Sequence, residues 1–355
     1  MEAKVTPEVT VMMPVHNARP YVQTAVESIL GQTFSNFRLL VVDDGSDDGS
    51  GEILDELARA DARVQLIRRE RRGQVETRNE LLARATTELL ACADADDISL
   101  PNRLADQVQR MKKDPDLHAI GCQLHVVDHT GLILRDLRRP VGAEVVRAAF
   151  KRGTAVSQPS AMIRRSALLA IGGYRSCYEH AEDYDMFIRV AENGKIDNGE
   201  FFGIYYRVHD DSVSHRHAIR QMASADLARA THALRIAGRP DPTHGLRSAL
   251  PYEDPIMKAL VPSAAIYAAL EQLRDEPSAD PLRKLLGARI DRRQSRCVQR
   301  ALVDVLLRRD LDALSLLALI RAVSMGPGRF MRCVGTAVRK PRRLSVANSE
   351  TPAPA

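Results

Sequence analysis

From residue 9 to residue 113 the chain alternates short apolar runs with helical patterns, a rhythm that few folds accommodate. VTVMMPV (9–15) is a β-rich run, and Pro20 then opens a helical pattern with Val22, Ala25, Val26, Ile29 and Leu30 on one face. FRLLVVDD (37–44) is continuously apolar until its last two residues, as a strand buried on both faces would be. GSGEILDELARA (49–60), VQLIR (64–68), VETRNELLARA (75–85) and ELLACA (88–93) read as helix, strand, helix and strand. Pro101 then takes the first position of a helix running to about Lys113. Strand and helix at this spacing predict an α/β fold: a Rossmann-like, mostly parallel sheet with helices on both faces.

After Ala119 the rhythm loosens. AIGCQLHVVD and LILRDL, separated by HTG, predict a hairpin; helices are expected at 165–171 and 183–192, and a last strand at 201–209. Beyond His215 the chain turns helical and rich in Arg, Ala and Leu. GRPDPTHG (238–245) reads as a linker, and VANSETPAPA at the end as disordered. The expected division is a domain over 1–215, a helical, basic region over 216–343 and a disordered tail over 344–355.

Composition narrows the classes. Five scattered cysteines with no CxxC pair argue for a reducing compartment rather than a disulfide frame or zinc ribbon. The first residues lack a basic stretch followed by a long apolar one, so no secretory signal is expected. The longest uncharged stretch, 259–270, falls well short of the roughly 20 residues of a spanning helix. The net charge of +5 hides an asymmetry: residues 281–343 hold 16 Lys/Arg against 4 Asp/Glu. Such a basic segment is either the solvated face of helices or a surface for an anionic partner.

In an open α/β sheet, ligands bind beyond the carboxyl ends of the strands. Two strands here end in acid, Asp43-Asp44-Gly45-Ser46 and Asp94-Ala95-Asp96-Asp97. Carboxylates that close repel one another unless a cation sits among them. A hard divalent ion, Mg²⁺ or Mn²⁺, is the natural neutraliser and usually brings phosphates with it. The second cluster therefore reads as half of a metal–diphosphate site, the alternative being a solvated turn.

At this point the sequence resembles the family-two glycosyltransferases, nucleotide-sugar-dependent enzymes with a GT-A fold. The likeness rests on blocks that follow in order across residues 9–215: PVHN with SILGQTF and VVDDGS, TRNELLARATTELLACADADD, HAEDYDMFIRVAENG and YYRVHDDSVS. The resemblance implies an inverting transfer of sugar from a UDP-sugar donor to a hydroxyl of a glycan or lipid-linked glycan, with Mn²⁺ or Mg²⁺ as cofactor. Pro14, His16 and Asp44 would surround the base, Asp44 accepting its ring N–H, while Asp43 serves the same site or orients the loop. Arg78 would lie near the base or diphosphate. Asp96 would ligate the metal, with Asp94 reaching the sugar, the ribose or a metal-bound water. Asp183 would be the general base, its pKa raised by repulsion from Glu182 and Asp185. His209 would complete the metal or diphosphate site as the last loop closes. His16 stands where the family commonly has Tyr, and an imidazole can still stack on a base.

Plainer roles stand beside these. Asp183 opens an apolar-periodic segment and reads equally as a helix cap. Arg78 and Asn79 at a helix start read as solvated surface, His215 and His217 as surface residues, and Gly172-Gly173 as a helix C-terminus. The leucine-rich stretch 301–323 reads as helical core, the alternative being a surface that lies on an anionic leaflet with the help of RKPRR (339–343). The expected location is therefore cytoplasmic, with peripheral attachment to the inner face of the membrane as a variant. Two rival functions are a metal-dependent nucleotidyltransferase, disfavoured by the lack of a glycine-rich phosphate loop, and a non-catalytic nucleotide-sugar-binding scaffold. Nucleic acid is not an expected partner, since no recognition motif accompanies the arginines.

Overall fold

A computed structural model describes residues 6–209 and 217–275, with isolated positions at 281, 284–285 and 298–299. The chain forms two compact units, Met1–Val261 and Pro262–Ala355. Within the first, β1 (Val9–Val15), α1 (Val22–Leu30), β2 (Phe37–Asp44), α2 (Ser50–Ala60), β3 (Val64–Arg69), α3 (Gln74–Arg84) and β4 (Leu89–Cys92) follow the predicted order. These strands lie β3-β2-β1-β4 in one sheet, every pair parallel. Val9, Val11 and Met13 of β1 and Leu39 and Val41 of β2 are fully buried beneath Val26 and Ile29 of α1 and Leu54 of α2. Leu40 and Val42, on the opposite face, are buried as well, and burial on both faces is why β2 is apolar without alternation.

The rest of the sheet is mixed. It comprises β5 (Ile98–Ser99), β6 (Leu117–Val127), β7 (Ile133–Leu137), β8 (Met162–Arg164) and β9 (Lys195–Arg207), ordered β4-β8-β6-β9-β5 with β7 paired to β6. β8 is antiparallel to both β4 and β6, while β6 and β9 run parallel. The helices here are α4 (Arg103–Lys113), α5 (Ala143–Phe150), α6 (Arg165–Ala170) and α7 (Glu182–Asn193). Then come α8 (Ala218–Ile236) and α9 (Pro255–Leu260), and in the second unit α10 (Ala264–Asp275). The result is a GT-A-like α/β architecture, as anticipated.

Three details depart from expectation. The last strand starts at Lys195 rather than 201, and α5 and β8 were not foreseen. The segment 238–245 is no free linker: Thr243 is fully buried, and its hydroxyl lies 2.7 Å from that of Tyr178. The helix α8 falls within the span of the first compact unit, Met1–Val261. Among the described residues no helix is long and apolar enough to cross a membrane. The leucine-rich stretch 301–323, the basic end 339–343 and His215 lie outside the described residues.

Candidate active site

Parallel pairing puts β1 between β2 and β4, with Pro14 beside Val42 and Met12 beside Cys92. The acidic ends of β2 and β4 thus flank the PVHN turn, two strand spacings or about 10 Å apart. The turn is fixed by the loop that follows β2. Ser46 Oγ accepts the Asn17 N–H, Ser50 Oγ that of Ala18 and Asp48 Oδ2 that of Arg19, while Asn17 and Asp47 exchange two hydrogen bonds. Asp47 and Asp48 are therefore acidic for structural reasons. Asn17 sits at φ 51°, a left-handed conformation that asparagine tolerates. Behind it, the Nδ1 of His16 is buried without a hydrogen-bond partner.

Asp43 and Asp44 are both buried. Asp43 accepts the Ser46 N–H at 3.0 Å and faces Arg68 at 3.4 Å. Asp44 accepts the N–H groups of Arg72 and Gly73 at 2.7 and 2.8 Å and pairs with Arg69. Burial pushes its pKa up, but these partners outweigh it and hold the carboxyl below its usual range. Three of roughly four acceptor positions are taken within the chain, which leaves one for a ligand.

The turn after β4 holds the remaining charge. Arg103, fully buried beneath it, donates to Ser99 Oγ and to the Cys92 carbonyl. Asp97 is turned inward, accepting the Arg207 N–H at 2.8 Å, so the third aspartate of the motif is structural. Asp96 faces outward, and its Oδ2 lies 3.0 Å from Nε2 of His209 across 113 residues of sequence. Tyr21 lies against His209, ring centroids 5.3 Å apart, and carries the Arg207 guanidinium on its other contact at 4.7 Å. Arg207 Nε also donates to the Asp96 carbonyl at 3.0 Å, clamping the end of β9 to the acidic turn.

Asp94 points instead to Arg78, 3.8 Å away. The Arg78 guanidinium is buried, pairs with Glu182 and lies over the Tyr174 ring at 5.7 Å. Pro14, Arg78, Asp94, Gln158 and Tyr174 line one small crevice. Burial works against the charge on Arg78, yet Glu182 and Asp94 hold its pKa above the usual value. One guanidinium cannot neutralise three carboxylates. Burial, with Asp96 and Asp183 adding repulsion, pushes Asp94 up to about 6. Burial and the same kind of repulsion push Glu182 up to about 7.

Asp183 lies in the first turn of α7, half-buried. The residue at the N-cap is Ala181, so Asp183 is not the cap; its Oδ1 accepts the adjacent Tyr184 N–H at 2.7 Å. Its pKa is raised by burial, against the pull of Arg78 and Arg139. Two expectations need correction here. Burial is the largest cause of the Asp183 shift, and Asp185 is spent in ion pairs with Arg175 and Arg189, so repulsion from the neighbouring acids is not what mainly produces it. Arg78 is not the solvated surface that its spacing alone suggested: it is the buried partner of the site's acids, in one crevice with Pro14 and Asp94. Asn79 is not solvated surface either: it clamps Tyr174 by two backbone hydrogen bonds of 2.9 Å. Glu182, Tyr174, Arg139 and Arg207 were missed as site residues. Glu182 adjoins Asp183 and Arg207 sits two before His209, so the blocks around both held the signal.

Asp96 and His209 offer one oxygen and one nitrogen, side by side and partly exposed. Among the described residues no group of three or more His, Cys, Asp or Glu gathers to hold a metal. A two-ligand set fits Mg²⁺ or Mn²⁺, which keeps waters and takes phosphate oxygens, rather than an ion needing a full protein cage.

The GT-A-like sheet thus carries its acids on the carboxyl rim, where open α/β sheets bind their ligands, and its likeness to known proteins gives the class. The chain belongs to glycosyl transferase family 2, whose description matches residues 10–172, and it is a glycosyltransferase. It is 31% identical over 208 residues to an uncharacterized glycosyltransferase, MJ1057, of Methanocaldococcus jannaschii, covering 57% of this chain and 71% of that one. It is 28% identical over 221 residues to the O-antigen biosynthesis glycosyltransferase WbnJ of Escherichia coli, covering 60% and 84%. Its fold is similar to that of S. aureus TarS 1-349 in complex with UDP-GlcNAc, with a TM-score of 0.55 at 16% identity over 93% of this chain and 91% of that one. It is similar too to the mannosyltransferase PcManGT of Pyrobaculum calidifontis in complex with GDP-Man and Mn2+, at TM-score 0.51 and 20% identity over 94% and 86%.

Proposed function

We propose that this glycosyltransferase transfers a sugar from a UDP-sugar, with inversion, to a hydroxyl of a glycan or lipid-linked glycan, using Mn²⁺ or Mg²⁺. The observation that carries the reading is the Asp96–His209 contact, which joins the acidic turn to the end of β9 beside the Arg78–Asp94–Asp183 cluster. UDP-GlcNAc in TarS and GDP-Man with Mn2+ in PcManGT support a nucleotide-sugar and a divalent ion without choosing the base.

In this reading Asp96 and His209 hold the ion. When bound, it supplies Lewis-acid stabilisation to the departing diphosphate. Pro14, His16 and the last free acceptor position of Asp44 contact the base, and Asp43 keeps the 46–50 loop in place. Asp94, oriented by Arg78, accepts hydrogen bonds from the sugar or ribose. Asp183 Oδ2 takes the proton of the acceptor hydroxyl; a carboxyl raised above about 3.9 is a stronger base than a free one. A single in-line displacement inverts the anomeric carbon.

Calorimetry and single-turnover assays separate the roles. Asp96→Asn is expected to weaken UDP binding in Mn²⁺ by roughly 10–100-fold, and EDTA to abolish the difference from wild type. Asp183→Asn is expected to keep UDP binding while turnover drops about 10²–10⁴-fold. UDP affinity indifferent to Asp96→Asn and to chelator removes the metal assignment, and full turnover in Asp183→Asn places the base elsewhere.

A further inference from the structure

The β6–β7 hairpin carries a surface that sugar transfer leaves unused. Leu132, Ile133 and Leu134 are 66%, 49% and 54% exposed, three consecutive aliphatic residues that lead into the edge strand β7. A bulge interrupts the pairing here. Val126 pairs with Arg135 and Val127 with Ile133, so Leu134 is the extra residue that has no opposite number. A strand flanking a protein surface hides every second side chain, because successive residues point to opposite faces. Here adjacent aliphatics are bare on both faces, and an apolar layer into which the tip inserts covers both at once. Arg135 and Arg138 are exposed just behind the tip, while the exposed Asp136 is engaged with His125 at 2.8 Å. Aliphatic tip and arginine base match the acyl and anionic headgroup layers of a bilayer.

The hairpin is also tied to the active site. Arg207 Nη1 donates to the carbonyls of Asp128 and His129 in the turn, at 3.1 and 3.0 Å, while its Nε holds the Asp96 carbonyl. Asp128 Oδ1 closes the turn by accepting the N–H groups of Thr130 and Leu132. The apolar tip and the acidic turn are therefore set in one rigid corner.

We propose that residues 132–134 insert into the interfacial layer of an anionic membrane leaflet, with Arg135 and Arg138 on its headgroups. The rim bearing Asp96 is thereby held at the bilayer surface. The docking stands by itself; that it presents the cleft to a lipid-linked acceptor rests on the function proposed above.

The test is flotation of the full chain on phosphatidylcholine vesicles with and without phosphatidylglycerol. Wild type is expected to float with the anionic vesicles. Leu132→Ser/Ile133→Ser/Leu134→Ser is expected to lose about tenfold or more of that binding, and Arg135→Gln/Arg138→Gln to lose the preference for phosphatidylglycerol. The substituted side chains are exposed, so unchanged melting temperature and UDP binding certify the fold. Wild type that fails to float, or a triple variant that floats as well as wild type, overturns the proposal. A triple variant that turns a wild-type dimer into a monomer assigns the tip to a second copy and overturns it as well. Because flotation needs neither donor nor turnover, its failure leaves the transfer reading intact, and loss of UDP binding in Asp96→Asn leaves the docking intact.

Discussion

The guanidinium of Arg78 is shared among Glu182, Asp94 and, at longer range, Asp183. Each carboxylate competes for it, so removing one strengthens its hold on the others. Glu182→Gln is expected to turn Arg78 toward Asp94 and Asp183, which favours the ionised form of the base. The acid limb of the kcat/KM profile, where Asp183 must lose its proton to act, then moves to lower pH. Plateau kcat is expected to fall by less than about tenfold, since a weaker base costs only part of the general-base contribution. A limb that stays in place in the Glu182→Gln profile shows that Glu182 does not act on the base. The role of Glu182 was hidden in the sequence for a physical reason: its partner lies 104 residues away, and no local period encodes that contact. Asp47, Asp48 and Asp97 pose the converse case, acids in the right place whose hydrogen bonds are all to their own chain.

At the scale of elements, Gly172 and Gly173 end α6 with φ of 75° and 72°. The Arg189 guanidinium donates to the carbonyls of Ile171 and Gly173, so this turn seats α6 against α7. A Cβ at Gly172 meets open space, whereas one at Gly173 falls 2.6 Å from Asn79 Oδ1. Gly172→Ala is expected to cost about 1 kcal/mol through backbone strain alone. Gly173→Ala adds about 1–2 kcal/mol, because it dislodges the Asn79 clamp on Tyr174. Urea midpoints compare the two, and equal losses would mean that Asn79 yields without cost. The elements legible in the sequence, β1 to β4 with their helices, are those whose apolar period is set by burial in a parallel sheet. The start of β9, KIDNG, has poor strand formers. It is extended because Asn198, fully buried, donates to the carbonyls of Pro140 and Ala155, and such contacts between distant segments override propensity. The three-residue β8 and the two buried residues of α5, Val146 and Phe150, are too short a pattern to read.

Across the whole first unit, two populations of acids oppose each other. Asp185 pairs with Arg175 and Arg189, Asp241 with Arg175 and Arg235, and Glu192 with Arg235 and His232, a chain of charges binding α7 to α8 and to the 238–245 segment. Burial alone would raise Asp241 and Glu192, but their partners win and hold both below the usual range, as they do Asp44. Groups lowered in the folded state contribute stability that is complete above their unfolded pKa, about 4, and is lost as pH falls through the lowered values. Glu182 works in the other sense. With a folded pKa of about 7, it binds its proton more tightly in the folded chain, so stability declines as pH rises from about 4 to about 7. The term amounts to at most about 3 kcal/mol. Melting temperature in EDTA is therefore expected to rise modestly as pH drops from about 7.5 toward about 5, then to fall steeply below about 4. Glu182→Gln should shrink the first limb, to which Asp94 and Asp183 also contribute, and leave the second, whereas Asp241→Asn should cost about 3 kcal/mol at neutral pH and soften the second. A wild-type melting temperature that only declines from neutral pH downward would mean that Glu182 is ionised throughout, with Arg78 alone sufficient to keep it so.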